Sequence, residues 1–159
     1  MIGRLFSALL IGGILAGCTA ATPSADTLPT PLPRQPECRV SQEPRSLCVV
    51  ILGDSIAAGV PVLGEERWWV RLQSLLGAAL PDRHVVVDSW AVPGSRVDVL
   101  ESAARDQAAL DSYDVAIVIE GVNDDGGLPI NDWRMRYEAA IAEIERGGLL
   151  VIVGTPPPT

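Results

Sequence analysis

The sequence predicts an α/β domain built on a parallel sheet, and three observations carry that prediction. The chain has 159 residues, 48% hydrophobic and 20% charged, enough for one packed domain of ordinary size. Leu47–Leu52 is an unbroken apolar run ending at Gly53, the pattern of a strand buried on both faces. Four strand-like runs alternate with three stretches whose apolar residues recur at helical spacing, as in consecutive strand–helix–strand units.

Residues 1–17 stand apart from that pattern. Arg4 supplies a positive charge, and Leu5–Ala16 is an apolar stretch of 12 residues. As a helix it would rise about 18 Å, short of the roughly 30 Å hydrocarbon core, so it reads as an export signal rather than a membrane span. Leu15-Ala16-Gly17-Cys18 sets small residues directly before a cysteine, which looks like a bacterial lipobox. The expectation is a lipid on Cys18 and a lipoprotein anchored to a membrane of the bacterial cell envelope, facing the periplasm or the exterior. Residues 18–37 are rich in Pro, Thr and Ala and lack any periodicity that would bury apolar surface, so they read as a tether.

The domain is assigned to residues 38–159. Cys38 and Cys48 meet an oxidising compartment and are candidates for a disulfide; the alternative is two thiols, with Cys48 as a small core residue. Strands are expected at 47–52, 85–87, 115–119 and 149–153. Helices are expected at 67–80, with Trp68, Leu72, Leu75 and Leu76 on one face, at 97–110, and at 132–146, with Asn131 or Asp132 as its cap. Pro93-Gly94-Ser95 reads as a turn. Glu65 and Glu66 read as solvated first-turn residues. Trp68, Trp69 and Trp133 read as helix-packing residues, the alternative being the wall of a pocket.

Charge narrows the partners. A net charge of −8 and a pI near 4.5 argue against nucleic acid, which needs a basic surface. No His/Cys cluster has metal-ligand spacing, and Asp124-Asp125 lacks a third ligand, so no metal and no cofactor is expected.

In parallel sheets of this kind, sites form where strands end. Gly53-Asp54-Ser55 follows the first strand, Pro93-Gly94 the second, and Gly121-Val122-Asn123-Asp124 the third. Each could be an ordinary turn or cap. Together, in this order and spacing, they resemble the first three blocks of the SGNH/GDSL hydrolases, over a region running from Leu47 to the end of the chain. The resemblance implies a flavodoxin-like three-layer sandwich with a parallel sheet. It implies a serine esterase or lipase acting on a small acyl or acetyl ester of a carbohydrate, or on a lipid ester. Ser55 would be the nucleophile. The Ser55 N–H, the Gly94 N–H and the Asn123 amide would form the oxyanion hole, where each preorganised donor contributes about 3 kcal/mol to the barrier. Asp54 would shape the turn rather than move protons. The stretch Asp88–Pro93 departs from the family, whose second block often carries an Asn and a Gly ahead of this turn.

A serine hydroxyl needs an adjacent base. The family takes it from an Asp-x-x-His block after a fifth strand, and that block is not found in this sequence. The single histidine, His84, precedes the second strand, whereas Ser55 follows the first. Strand length puts the two roughly 15 Å or more apart. The expectation is therefore a hydrolase domain cut after its fourth strand, with little or no activity in these residues alone. The alternatives are a degenerate homologue that binds esters or glycans in the envelope without turnover, or another base.

Overall fold

The computed structural model describes Cys38 and residues 46–155. Residues 1–37, on which the expected export signal, Cys18 and the expected tether fall, lie outside the described residues. Strands β1 (Ser46–Gly53), β2 (His84–Ser89), β3 (Val115–Ile119) and β4 (Leu150–Val153) form one sheet in the order β2-β1-β3-β4. Every pairing is parallel. Helices α1 (Ser55–Ala58), α2 (Trp68–Ala79), α3 (Val97–Arg105), α4 (Gln107–Leu110) and α5 (Ile130–Arg146) connect them, with single 3₁₀ turns at Gly64–Glu66 and Val122–Asp124.

The expected burial of β1 on both faces follows from its central place. Val50 and Leu52 face one core with Leu100, Ala104, Leu110, Ala140 and Ile144 of α3, α4 and α5. Val49 and Ile51 face the other, covered by Trp68, Trp69 and Leu76 of α2. Helices on both faces of a parallel sheet make the three-layer sandwich. The chain steps from β1 outward to β2, then returns past β1 to β3. The gap between β1 and β3 is therefore a topological switch point, where crevices open at strand carboxyl ends.

Several local expectations change. Leu75 is 68% exposed, because the packed face of α2 runs through Trp68, Trp69, Leu72 and Leu76 instead. The helix expected over 97–110 breaks at Asp106, whose side chain caps α4 by accepting from the Ala109 N–H. The last helix begins at Ile130, two residues earlier than expected. Pro129 occupies its cap position, so neither Asn131 nor Asp132 caps it; the Pro129 carbonyl accepts from the Trp133 N–H at 3.0 Å. Cys38 and Cys48 are joined in a disulfide with Cα atoms 5.9 Å apart.

Candidate active site

The exit from β1 is shaped by a glycine that no other residue can replace without strain. Gly53 has φ +133°, and a Cβ there would lie 1.8 Å from the Ile119 carbonyl oxygen. This close approach lets the Asp54 N–H donate to Ile119 O at 3.2 Å, fastening the end of β1 to the end of β3. Asp54 is fully buried and caps α1, its Oδ1 accepting from the Ile56 N–H at 2.7 Å. Ser55 is thereby set as the first residue of α1, half-buried, and its hydroxyl makes no hydrogen bond to another described residue.

In this four-residue helix the Ser55 and Ile56 carbonyls accept from the Gly59 N–H, which leaves those of Ala57 and Ala58 without backbone partners. Two indoles supply them. Trp68 Nε1 donates to Ile56 O and Ala57 O at 3.2 and 3.0 Å, and Trp69 Nε1 donates to Ala58 O at 3.1 Å. These tryptophans pack, as expected, but they also hold the segment that carries Ser55.

The exit from β2 runs beside that of β1. The Val92 N–H donates to Gly53 O at 2.8 Å, and the Ser95 N–H closes a turn onto Val92 O at 2.9 Å. Pro93 then Gly94 at φ +81° is the signature of a type II turn. A Cβ on Gly94 would meet nothing within 4 Å, so the Gly94 backbone faces open space.

The exit from β3 grips this turn. Asn123 Nδ2 donates to the Ser95 carbonyl at 2.9 Å, which uses one of its two amide hydrogens. The Asp124 carboxylate is buried and accepts from the Val97 N–H at 3.2 and 3.3 Å, capping α3 from a distant loop. That cap explains Asp124 without a metal. Among the described residues, the Ser55 and Gly94 N–H groups have no hydrogen-bond partner.

Glu120, at the end of β3, is a buried acid that pattern reading did not single out; it is 2% exposed. Its Oε2 lies 2.7 Å from Ser95 Oγ, and its Oε1 accepts from the Gly121 N–H at 3.2 Å. Burial pushes its pKa up to about 7; Ser95 and the Gly121 N–H oppose the shift, and the nearby Asp54 and Asp124 charges add to it. The sequence signal was available: a carboxylate directly after an apolar strand and before a glycine. Glu120 also lines a cavity of about 270 Å³ with Gly121, Leu128, Ile130 and Trp133.

His84 is not brought to Ser55. It pairs in register with Ser46, the first residue of β1, whereas Ser55 follows the last. At about 3.3 Å per residue the length of β1 separates them by over 20 Å.

The fold matches known proteins. The model of the GDSL-like lipase/acylhydrolase family matches residues 51–159. The chain belongs to that family. Among solved structures it is similar to AlinE4, an SGNH-hydrolase family esterase, with TM-score 0.59 and 22% identity over 71% of this chain and 62% of AlinE4. It is similar also to the acetyl xylan esterase AlAXEase, with TM-score 0.55 and 22% identity over 67% of this chain and 57% of that one. The psychrotrophic esterase EstA from Pseudoalteromonas sp. aligns with TM-score 0.52 and 22% identity over 69% of this chain and 61% of EstA. The chain thus spans less than two thirds of the length of these esterases, and the likeness is one of fold. No curated protein sequence gives a significant match.

Proposed function

We propose that the chain carries the nucleophile and oxyanion-hole portion of a serine ester hydrolase. Ser55 Oγ attacks the ester carbonyl, its proton passes to a base, and the alcohol leaves; water then releases the acid from the acyl-enzyme. The Ser55 N–H, the Gly94 N–H and the second hydrogen of the Asn123 amide receive the oxyanion. The observation that carries this reading is the fastening of three strand exits at one sheet edge, with the Ser55 hydroxyl and two backbone donors left uncommitted there. His84 does not supply the base, and the base the family takes from its Asp-x-x-His block is sought outside residues 46–155.

The substrate class is a small acyl or acetyl ester. The likeness to an acetyl xylan esterase favours acetylated carbohydrate over lipid. Lipidation at Cys18 would place the protein at the bacterial envelope, and Cys18→Ser should release it from the membrane fraction. The functional test is p-nitrophenyl acetate turnover by the protein expressed from its complete coding region, read for an in-frame Asp-x-x-His beyond Thr159. Ser55→Ala should abolish turnover, and activity surviving that change would refute the assignment. The position of His84 favours a second reading, an envelope binding protein without turnover. Strong labelling of Ser55 by a fluorophosphonate would count against it.

A further inference from the structure

Ser95 Oγ lies 2.7 Å from Glu120 Oε2 and 3.1 Å from the Gly53 carbonyl oxygen, and all three groups are buried. A hydroxyl carries one hydrogen, and a carbonyl carries none. Both contacts are hydrogen bonds only if the second hydrogen comes from Glu120. The other carboxyl oxygen is occupied as an acceptor, because the Gly121 N–H points at Oε1. That leaves Oε2 as the place for a proton. We propose that Glu120 is a positioning residue held as a neutral carboxylic acid, donating from Oε2 to Ser95 Oγ while Ser95 donates to the Gly53 carbonyl.

The chain of donors runs Glu120 to Ser95 to Gly53, so one proton ties together the exits of β3, β2 and β1. Those exits carry Asn123, Gly94 and Ser55. The surroundings favour the neutral form. Asp54 at the start of α1 and Asp124 in the 3₁₀ turn act on Glu120 as negative charges, and Asp125 lines the same cavity. From α5 the facing titratable group is Tyr137, whose own pKa is pushed up to about 12, mainly by burial and further by Glu120. Among the described residues no cation acts on Glu120 itself, and Arg136 is drawn to Asp124 instead. Arg96 and Arg136 line a different hollow beside Asp124, and Arg136 is committed to Glu101 at 2.6 Å. When Glu120 loses its proton, Ser95 must turn its hydrogen to the carboxylate. Gly53 O then faces a lone pair, and the turn bearing Gly94 is held less firmly.

The titration is a property of the described residues; only its bearing on Gly94 as an oxyanion donor rests on the function proposed above. The test uses the full chain with ¹³C-labelled glutamate carboxyls, titrated by NMR, with Glu120→Gln identifying the signal. One glutamate should titrate near neutrality and vanish in the variant. Amide-exchange protection at Val92 and Ser95, whose N–H groups donate to Gly53 O and Val92 O, should fall about tenfold between pH 6 and pH 8, following the protonated fraction of such a group. In Glu120→Gln the protection should stay high at both pH values, because the amide presents its carbonyl to the Gly121 N–H and its NH₂ to Ser95. Glu120→Ala should lose it at both. A Glu120 midpoint in the ordinary carboxylate range would overturn the proposal, as would protection that is equal at both pH values in the unmodified chain. If Glu120→Gln does not fold, the titration of the unmodified chain still decides. Failure of Ser55 to react with a fluorophosphonate would sink the hydrolase reading and leave this result standing.

Discussion

Replacing Gly53 by alanine tests whether the close fit of β1 against β3 holds the nucleophile turn. The added Cβ would sit 1.8 Å from the Ile119 carbonyl oxygen and 2.6 Å from its carbon. Restoring ordinary contact requires β3 to retreat by roughly 1.5 Å. That movement breaks the Asp54 N–H bond to Ile119 O and leaves a buried donor unsatisfied, at about 1–3 kcal/mol. The φ of +133° adds about 1–3 kcal/mol of backbone strain for a residue with a side chain. The total is about 4 kcal/mol, a large share of the roughly 5–15 kcal/mol that stabilises a typical domain. Gly94→Ala is the control, since φ is +81° but the space is open, so only backbone strain of about 1–2 kcal/mol applies. Urea and thermal unfolding of both variants at fixed pH separate the two contributions. Gly94→Ala should lower Tm by roughly 5–10 °C and Gly53→Ala by about twice that or more. Equal losses in the two variants, or a loss under about 1 kcal/mol for Gly53→Ala, would refute the steric argument.

Other expectations follow from the same contacts. The folded state holds the Glu120 proton more tightly than the unfolded chain does. Its stabilisation is therefore full below the ordinary Glu pKa and lost as pH rises through about 7, a decline of about 3 kcal/mol that Glu120→Gln should flatten in denaturant titrations. The Arg136–Glu101 pair has the opposite sign: its stabilisation is in place above the ordinary Glu range and is lost only below it, so it does not mask this window. Asp54→Asn removes a neighbouring negative charge and should move the Glu120 midpoint down in the same carboxyl titration; an unmoved midpoint would deny that coupling. Trp68→Phe and Trp69→Phe each remove a donor to the carbonyls of α1, and each should cost about 1 kcal/mol in urea unfolding. Cys38→Ala opens a crosslink between residues 10 apart and should cost about 3 kcal/mol, after which added reductant should have no further effect.

Much of the fold was legible because its signals are local. The apolar run 47–52 announced a central strand, and β1 is covered on both faces. The three motif turns were legible as neighbours because parallel strands send all their exits to one edge. His84 could be set apart from Ser55 by the same reasoning, and the register with Ser46 lengthens the separation rather than closing it. Helix boundaries were less legible. Asp106 and Pro129 impose them through a side-chain cap and a backbone carbonyl, against a smooth apolar periodicity.

The sequence by itself determined which residues form the sheet, and which glycine and serine follow its first strand, because periodicity and turn chemistry are written within a few residues. Only the tertiary structure decided what those turns are fastened to. Ser95 reaches Gly53 across 42 positions and Glu120 across 25, and the Asp124 cap on Val97 spans 27. A carboxylate at the end of a strand looks the same in sequence whether water or a buried hydroxyl faces it. The burial that raises the pKa of Glu120, and the single hydrogen it must share with Ser95, exist only once three strand exits have been brought within hydrogen-bond distance.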